Sequence, residues 1–453
     1  MFQKILIANR GEIAVRIIRA CKQLGIETVA IFSVADRDSL HVQIADEAVC
    51  VGGNKSSESY LNMENIISAA ISKGAEAIHP GFGFLSENAR FADLCISCGI
   101  KFIGPKGEVI DKMGNKARAR ELMIAANVPV VPGSEGKVDS MEDAKNLAIE
   151  IGFPVLIKAS AGGGGRGMRV AYEESEFATA YETARSEAKN AFGDDTMYLE
   201  KYLINPKHIE FQIIADKYGN TVHLGERDCS IQRRNQKVIE EAPSLINDDL
   251  RKRMGETAIM ASKSVNYENA GTIEFLVSGN EFYFIEMNTR IQVEHPVTEM
   301  ITGIDIVKEQ IKIAGGEPLS FTQEEVVLNG HSIEVRINAE NPKENFRPSP
   351  GKVELLHVPS GHGVRFDSFL YTGYTISPFY DSMMGKVIVH GKTRQEAIDK
   401  MKATLDELII EGVNNNRQFC YKILDNSEYV KGDFDTGFIP KHIDSLLGYD
   451  DYE

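Results

Sequence analysis

The chain has 453 residues, of which 43% are hydrophobic, and a formal net charge of −16. The length exceeds what one hydrophobic core fills, so we expect two to four domains. The acidic charge argues against nonspecific nucleic-acid binding, and no apolar run is long enough for a membrane helix. Six dispersed cysteines and the lack of a signal-peptide pattern predict a cytoplasmic protein without disulfides.

Strand and helix patterns alternate over roughly the first 105 residues, which predicts a doubly wound parallel sheet. The loop HPGFGFLSEN, residues 79–88, leaves a strand and starts a helix, and Ser86 is its predicted N-cap. The earlier turn Asn9-Arg10-Gly11-Glu12 holds one glycine where a dinucleotide fingerprint has three. The N-terminal region therefore does not indicate NAD binding.

A glycine-rich run, AGGGGRGM at residues 161–168, lies between the strand-like segments VLIKAS and MRVAY. Glycine leaves backbone N–H groups free to approach an anion, so this pattern predicts a strand-loop-strand flap over nucleotide phosphates. No Gly-Lys-Ser/Thr follows and no helix opens at the glycines, which excludes a P-loop and a Rossmann turn. Lys158, on the entering strand, supplies a matching charge. The alternative interpretation is a flexible surface turn.

The segment TIEFLVSGNEFYFIEMN predicts two strands joined by a glycine-containing turn. A three-residue turn places Glu274 opposite Glu286, whereas a two-residue turn puts Glu286 on the other face. Asn288 shares the face of Glu286 by strand alternation. Adjacent carboxylates repel one another without a cation, so we predict a Mg²⁺ site in preference to a solvated polar face.

The sequence RIQVEHP follows this hairpin directly. Arg290 is suited to holding a planar oxyanion with two hydrogen bonds. Glu294 is suited to accepting a proton as a general base, a role for which we expect burial to raise its pKa. The alternative is an Arg–Glu pair that only braces the turn.

Polar and basic residues also crowd the strands before the hairpin, where they can neutralise phosphate or substrate charge; they are Lys201, His208, Gln232, Arg233, Arg234, Asn235 and Lys237. The alternative is a surface ion-pair lattice with Glu240 and Glu241. Arg336 lies in the strand SIEVRIN on the face opposite its apolar residues. Taken alone, this position predicts a solvated side chain.

Four motifs occur in order along the chain: HPGFGFLSEN, KASAGGGGRGM, ERDCSIQRRNQK and FIEMNTRIQVEHPVTE. With these motifs the chain closely resembles the biotin carboxylase family of ATP-grasp enzymes, from ILIANRGEIA to about residue 446. The resemblance implies mixed α/β and α+β structure: a doubly wound, Rossmann-like N-terminal domain (1–113), an ATP-grasp domain (114–330) with a mobile lid at about 131–203, and a β-rich C-terminal domain (331–446). The residues beyond the resemblance, 447–453, are expected to form an acidic tail.

The resemblance also implies roles for individual residues. Those implied to contact ATP are Lys116, Lys158, Gly162, Gly163, Gly164, Gly165, Glu200, Lys201, Tyr202, Leu203, His208, Gln232, Asn235, Lys237, Glu274 and Glu286. Those implied to bind bicarbonate are Lys237, Arg290, Gln292 and Val293, with Glu294 as the base. Glu274, Glu286 and Asn288 are implied to hold about two Mg²⁺ or Mn²⁺ ions, and Arg336 is implied to bind biotin.

The implied reaction is ATP-dependent carboxylation of biotin, with bicarbonate activated as carboxyphosphate. The chain lacks the exposed lysine between methionines that a biotin carrier shows, so we expect a separate biotin carboxyl carrier protein, separate carboxyltransferase subunits and a homodimer. Acetyl-CoA carboxylase of fatty acid synthesis is the expected assembly. A two-subunit pyruvate carboxylase, another acyl-CoA carboxylase, a noncatalytic nucleotide sensor and a carboxylate–amine ligase are the alternatives.

Two positions depart from the family pattern. Asn235 stands where the family usually has histidine, and Gly412-Val413-Asn414-Asn415-Asn416 replaces a Gly-Ile/Val-Lys-Thr-Asn sequence. Neither departure removes an implied catalytic group. We expect the first to affect nucleotide affinity at most, and the second to bear on the dimer surface.

Overall fold

The structure is a computed structural model that describes residues 1–134, 136–138, 140–159, 167–192 and 195–448. Its residues form two compact units. The first unit comprises Met1–Val128, Lys207–Leu276 and Glu286–Glu453, and the second comprises Pro129–Pro206 and Val277–Ile285. Each unit has a hydrophobic core of its own.

A parallel five-stranded sheet opens the first unit, with strand order β3-β2-β1-β4-β5, and confirms the predicted doubly wound region. Its strands are fully buried where apolar runs such as Ile5–Ile7 are covered on both faces. The strands are β1 Lys4–Ile7, β2 Glu27–Ser33, β3 Glu47–Gly52, β4 Ala77–His79 and β5 Lys101–Phe102. The helices are α1 Gly11–Gln23, α2 Leu40–Ile44, α3 Met63–Lys73, α4 Ala89–Ser97, α5 Gly107–Gly114 and α6 Lys116–Ala125.

The N-cap of α4 differs from the prediction. Asn88, not Ser86, caps the helix, and its side-chain oxygen accepts a hydrogen bond from the backbone N–H of Phe91 at 2.9 Å. Asn and Ser are about equally good caps, so the composition of the loop could not decide between them. Glu87 therefore lies in the loop before α4, from which it contacts the site described below.

The second unit holds a small antiparallel sheet with strand order β7-β6-β8, packed against two helices. The strands are β6 Val155–Ala159, β7 Met168–Ala171 and β8 Met197–Lys201, and the helices are α7 Met141–Ile151 and α8 Glu174–Phe192. The backbone N–H of Ala159 donates to Gly167 at 2.9 Å, so the strands predicted on either side of the glycine run do pair. The run itself, with Gly162, Gly163, Gly164 and Gly165, lies outside the described residues.

The largest sheet has eight strands in the order β13-β12-β9-β10-β11-β14-β21-β19. Its first part contains β9 Lys207–Ala215, β10 Thr221–Arg233, β11 Gln236–Ala242, β12 Asn269–Ser278 and β13 Glu281–Asn288. The helices of this part are α9 Asp248–Ser264, α10 His295–Thr302 and α11 Ile306–Ala314. Polar residues at alternate positions of these otherwise apolar strands, such as Glu210 and Gln212 on β9, are buried on one face of the sheet.

The C-terminal segment extends this same sheet, because β14 pairs with β11 on one side and with β21 on the other. Its strands are β14 His331–Asn338, β15 Glu340–Asn341, β16 Arg347–Pro348, β17 Gly351–Lys352, β18 Leu355–His357, β19 Val364–Ser368, β20 Thr375–Ile376, β21 Met383–Gly391 and β22 Ile409–Glu411. Its helices are α12 Arg394–Glu407, α13 Arg417–Asp425, α14 Ser427–Lys431 and α15 Phe438–Leu447. Strands from distant parts of the chain are thereby held side by side.

Two further features agree with the sequence-based expectations. All six cysteines lie within the described ranges, and each is a free thiol. Among the helices of those ranges, none combines the length and the apolar character that crossing a membrane requires.

Candidate active site

Lys237 lies at the centre of a buried polar cluster on one face of the eight-stranded sheet. Its Nζ is 2.6 Å from Glu210, 2.9 Å from Glu274 and 2.6 Å from Glu294, and it also donates to Gln292 at 3.1 Å. Burial acts to lower the pKa of Lys237, but the charges of Glu210 and Glu294 outweigh it and raise that pKa well above its usual value. Lys237 is therefore a permanent ammonium ion that holds three carboxylates together.

Arg227 is fully buried and contacts Glu210 of this cluster. Its Nε donates to Glu210 at 2.6 Å, and its Nη atoms donate to Gln212 at 2.8 Å, Thr298 at 3.0 Å and Thr272 at 3.1 Å. Neither Arg227 nor Glu210 was predicted from the sequence. The signal that could have found Glu210 is the spacing of two polar residues on one face of an apolar strand, HIEFQIIA.

Arg336 lies on the same side of the sheet and is an ion-pair partner of Glu294. Its Nη2 is 2.9 Å from Glu294, and its Nε donates to Glu240 at 2.6 Å. Only 17% of the Arg336 side chain is exposed. The interpretation of Arg336 as a solvated strand residue is thus wrong, because β14 lies inside the sheet and both of its faces are covered.

The expectation for the pKa of Glu294 is also wrong in sign. Burial acts to raise it, but the charges of Lys237, Arg336 and Arg227 hold the pKa of Glu294 well below its usual value. Burial, with the nearby charge of Glu294, raises the pKa of Glu240 to about 7. The two carboxyl groups share Arg336, but their pKa values are shifted in opposite directions. Glu294 is the one that stays ionised and able to accept a proton.

Arg290 pairs with Glu87 and not with Glu294. Its Nε is 2.9 Å from Glu87, and its Nη2 donates to Asn288 at 3.1 Å. The backbone N–H of Thr289 also donates to Glu87, at 3.2 Å. Arg290 therefore does form an ion pair with a glutamate, but the partner is Glu87 and not Glu294. Glu87 lies in the loop 79–88, 203 residues earlier in the chain.

The predicted metal residues meet in part. The hairpin has the two-residue turn Gly279-Asn280, so the three-residue alternative is wrong. Nevertheless Asn288 donates to Glu274 at 2.9 Å, and Glu286 precedes Asn288 by two residues on β13. The burial of β13 alternates up to Phe284, and Met287 and Asn288 are then both buried.

The donor atoms of this group fit Mg²⁺. Carboxylate and amide oxygens are the ligands that it prefers, and the Glu286 side chain is 36% exposed and open to a bound ion. His208 lies 3.0 Å from Glu274, and His208, Glu210 and Glu274 form a group whose ligand atoms all lie within 4.8 Å of one another. Lys116, 80% exposed at the start of α6, lies 3.2 Å from Glu286.

Several other predicted nucleotide residues lie at strand ends. Gln232 is near the end of β10, opposite Lys237 on β11. Arg234 and Asn235 form the turn between these strands with φ values of 51° and 62°, so Asn235 occupies a left-handed position that asparagine tolerates well. Arg234 contacts Asn345, and Arg233 lies 3.8 Å from Glu340, so the alternative of an ion-pair lattice with Glu240 and Glu241 is wrong.

In the second unit, the structure brings Lys158 on β6 and Glu200 on β8 into contact. Lys201 donates to the backbone of Gly152 at 2.7 Å, and the backbone N–H of Tyr202 donates to Pro154 at 3.0 Å. Leu203 follows β8 closely in the chain. These contacts fix the end of β8 on the sheet of this unit.

The turn 290–294 is held from several sides. The side-chain amide of Gln292 donates to Glu274 at 3.0 Å, and the backbone carbonyl oxygen of Gln292 lies 2.7 Å from Nδ1 of His295. His295 is fully buried. The carbonyl oxygen of Val293 accepts a hydrogen bond from Lys386, a residue to which the sequence alone assigned no role.

Family models match three consecutive stretches of the chain. They are "Biotin carboxylase, N-terminal domain" over residues 1–110, "Carbamoyl-phosphate synthase L chain, ATP binding domain" over 115–322 and "Biotin carboxylase C-terminal domain" over 334–441. Biotin carboxylase 1 of Bacillus subtilis is 56% identical over 97% of this chain and 98% of its own length. The chain belongs to the biotin carboxylase family. The resemblance stated above is thereby confirmed, and so is the assignment of the chain as an ATP-grasp enzyme with biotin carboxylase function.

Relatives that are named for different carboxylases are almost equally similar to this chain. A pyruvate carboxylase subunit from Methanothermobacter thermautotrophicus is 54% identical, over 98% of this chain and 90% of its own. The biotin carboxylase domain dimer of Hydrogenobacter thermophilus 2-oxoglutarate carboxylase, solved with MgADP, ADP and bicarbonate, is 51% identical with a TM-score of 0.89 over 100% of both chains. A Campylobacter jejuni biotin carboxylase complex has 51% identity and a TM-score of 0.89 over 98% of this chain and 99% of its own.

Proposed function

We propose that this chain uses ATP and bicarbonate to carboxylate biotin that is carried by a separate protein. The observation that supports the proposal most is the convergence of two cations on one carboxylate. Lys237 lies 2.6 Å from one oxygen of Glu294, and Arg336 lies 2.9 Å from the other. An ionised base is thus placed between a group suited to an inorganic anion and a group suited to an organic oxyanion.

Bicarbonate would bind to Lys237, Arg290, Gln292 and the backbone of Val293. Glu294 would take its proton, and the resulting oxyanion would attack the γ-phosphate of ATP. The new O–P bond forms as the bond to ADP breaks, giving carboxyphosphate. A carboxylate with a low pKa is a weak base. The three neighbouring cations, however, also stabilise the carbonate dianion that forms when bicarbonate loses its proton.

The second step would transfer carbon dioxide to biotin. Carboxyphosphate breaks into CO₂ and phosphate, and the phosphate accepts the proton from the ureido nitrogen of biotin. Arg336 would stabilise the negative oxygen of the resulting ureido anion through charge-assisted hydrogen bonds. The nitrogen then forms a bond to the carbon of CO₂, which completes carboxybiotin.

We assign nucleotide contacts to Lys116, His208, Gln232, Asn235 and Lys237, and, in the second unit, to Lys158, the glycines 162–165 and Glu200–Leu203. Glu274, Glu286 and Asn288 would hold Mg²⁺ or Mn²⁺. When bound, these ions supply positive charge to the phosphate oxygens of ATP. The solved Hydrogenobacter relative contains MgADP and bicarbonate, which supports both assignments for this chain.

The proposed partners are a biotin carboxyl carrier protein, a carboxyltransferase and a second copy of this chain, in the cytoplasm. We propose acetyl-CoA carboxylase as the assembly; the names of the two relatives at 56% identity, biotin carboxylase in both cases, are compatible with it and state no final acceptor. A two-subunit pyruvate carboxylase is the second candidate, supported by the relative at 54% identity. Affinity purification from the native cells, followed by assay with labelled bicarbonate, would yield malonyl-CoA from acetyl-CoA in the first case and oxaloacetate from pyruvate in the second.

The catalytic proposal itself is tested with labelled bicarbonate and free biotin. Purified protein with ATP and Mg²⁺ should form acid-labile carboxybiotin, which is stabilised by methylation and then counted. Omission of ATP or of biotin should abolish the product. Labelled product that forms without ATP, or no product under complete conditions, would contradict the proposal.

A further inference from the structure

Lys386 is a fully buried lysine on β21, the strand next to the edge strand β19 of the eight-stranded sheet. It lies on β21 opposite Arg336 of β14 and Asp367 of β19. Residues directly opposite one another in paired strands point to the same face, so Lys386 shares the face of Arg336. None of the roles proposed above uses this charge.

The ammonium group of Lys386 has two partners. It donates a hydrogen bond to the carbonyl oxygen of Val293, and it lies 3.2 Å from Oε1 of Glu12, whose side chain is 1% exposed. Burying an ammonium ion costs free energy that one ion pair rarely restores in full. A neutral side chain of similar length would fill the same volume without this cost, so the donated hydrogen bond is the distinctive contribution of lysine here.

The carbonyl group that Lys386 holds belongs to Val293, the residue between Gln292 and Glu294. On one side of Val293, Gln292 contacts Lys237 and Glu274; on the other side, Glu294 contacts Lys237 and Arg336. A change in the backbone dihedral angles of Val293 would therefore move the Gln292 side chain relative to the base Glu294. The backbone N–H of Val293, on the preceding peptide unit, is part of the proposed bicarbonate site and would change direction relative to the held carbonyl.

We propose that Lys386 is a positioning residue for bicarbonate, because it fixes the Val293 carbonyl and thereby the direction of the turn 290–294. The proposal rests on the proposed function. Glu12 is the counter-charge that keeps Lys386 in place. Burial raises the pKa of Glu12, although the charge of Lys386 acts to lower it.

The test separates the hydrogen bond from the charge pair. Glu12→Gln removes the counter-charge and leaves Lys386 able to donate to Val293. The double variant Lys386→Met/Glu12→Gln removes the donor as well and leaves neither partner of this pair as an unpaired charge, which favours folding. Lys392→Met, at an exposed lysine just beyond the same strand, is the matched control. For each protein, bicarbonate KM is measured by ADP release at saturating ATP, and ADP binding is measured by calorimetry.

Relative to Glu12→Gln, the double variant should have a bicarbonate KM roughly tenfold to a hundredfold higher, because a misplaced substrate-binding group has effects of this size. Its affinity for ADP should stay within about twofold, since the turn 290–294 is assigned to the anion and not to the nucleotide. A bicarbonate KM equal to that of Glu12→Gln, or an equal loss of ADP affinity, would show a purely structural role and overturn the proposal. If the wild-type protein itself showed no bicarbonate-dependent ADP release, the proposed function would be overturned together with the role of Lys386. The wild-type assay therefore distinguishes failure of the function from failure of the Lys386 role alone.

Discussion

Arg336 and Glu294 are ion-paired, with Nη2 of the arginine 2.9 Å from Oε2 of the glutamate. The two residues are proposed to serve different substrates, biotin and bicarbonate, and yet each is the other's partner. The arginine lowers the pKa of the base, and the base orients the arginine together with Glu240. The activation of bicarbonate and the carboxylation of biotin, as proposed, therefore both depend on this one ion pair.

Replacement of Arg336 should separate biotin use from nucleotide binding. Arg336→Ala is expected to remove most of the stimulation of ADP release by free biotin, because no other cation is assigned to the ureido oxygen. ATP affinity should stay within about threefold, since no nucleotide contact is assigned to Arg336. Titration of biotin in an ADP-release assay measures the first quantity, and Arg347→Ala, at an exposed arginine, is the control. Full biotin stimulation in the Arg336 variant would contradict its role.

The same replacement should shift the pH dependence of the bicarbonate reaction. Glu294 acts as a carboxylate, so activity is lost as pH falls through its pKa, which three cations hold well below 4.5 in the wild type. Between about pH 5.5 and 8 the wild type should show no loss from this group. Arg336→Ala removes one cation, so the acid limb of biotin-independent kcat/KM for bicarbonate should move to higher pH. An unchanged acid limb would mean that the arginine does not tune the base.

Loss of the carboxylate at position 294 should affect turnover far more than binding. Glu294→Gln keeps the size of the side chain but removes the proton acceptor, and general bases contribute roughly 100-fold to 10,000-fold to rate. Turnover should fall by about that factor while ADP affinity, measured by calorimetry, changes little. Glu317→Gln, at an exposed glutamate, should match the wild type. Normal turnover of Glu294→Gln would remove Glu294 from the role of base.

Local patterns in the sequence predicted the elements well but not their partners. The parallel N-terminal sheet and the strands around the glycine run follow from alternation and turn residues, which act over a few positions. Arg336 was assigned to a solvated face because the alternation of SIEVRIN cannot show that β14 is covered on both faces. The pairing of Arg290 with Glu87 was missed because it joins two loops that are distant in the chain.

The wrong expectation for the pKa of Glu294 also arises from contacts between residues that are distant in the chain. Burial of Glu294 was expected to raise its pKa, and by itself it does. The three cations that reverse the sign come from β10, β11 and β14, and only the assembled sheet brings them together. A single sequence gives the types of these residues but not the distances that decide whether burial or the neighbouring charges prevail.

Asn416, which ends the atypical loop 412–416, should also influence the use of biotin. Its side-chain amide donates to the carbonyl oxygen of Arg336 at 2.9 Å and accepts from the N–H of Asn338 at 2.8 Å, as a neighbouring strand would. Asn416→Ala leaves both groups without this partner, at a cost of about 1–3 kcal/mol each. The KM for biotin should rise several-fold with ADP affinity unchanged. Asn414→Ala, at an exposed position of the same loop, is the control, and equal behaviour of the two variants would refute the role.

Glu241 predicts a pH dependence of stability that is separate from catalysis. Burial acts to raise its pKa, but His331, whose Nε2 is 3.7 Å away, and Arg394, which donates a hydrogen bond at 3.0 Å, hold it at about 2. A depressed pKa stabilises the folded state above the ordinary carboxyl pKa of 4.5, by about 3 kcal/mol for this shift, and that contribution is lost as pH falls toward 2.

Glu241→Gln should therefore lower the free energy of unfolding by about this amount at pH 7, with a difference from wild type that shrinks below about pH 4.5. Urea unfolding followed by circular dichroism at pH 7, 5 and 4 measures the difference. Glu256→Gln, at an exposed position, should change it little at any pH. A difference that stays constant from pH 7 to 4 would contradict the assigned coupling.

Lys237, Glu294 and Arg336 are proposed to act together, so that bicarbonate is activated with ATP and its carbon is delivered to biotin. The decisive quantity is the rate of ADP release by the purified wild-type protein with Mg²⁺ and ATP, with bicarbonate and free biotin each present or omitted. We expect ADP release to require bicarbonate and to increase strongly when biotin is added. Equal rates with and without biotin, or release that does not depend on bicarbonate, would contradict the joint role of these three residues.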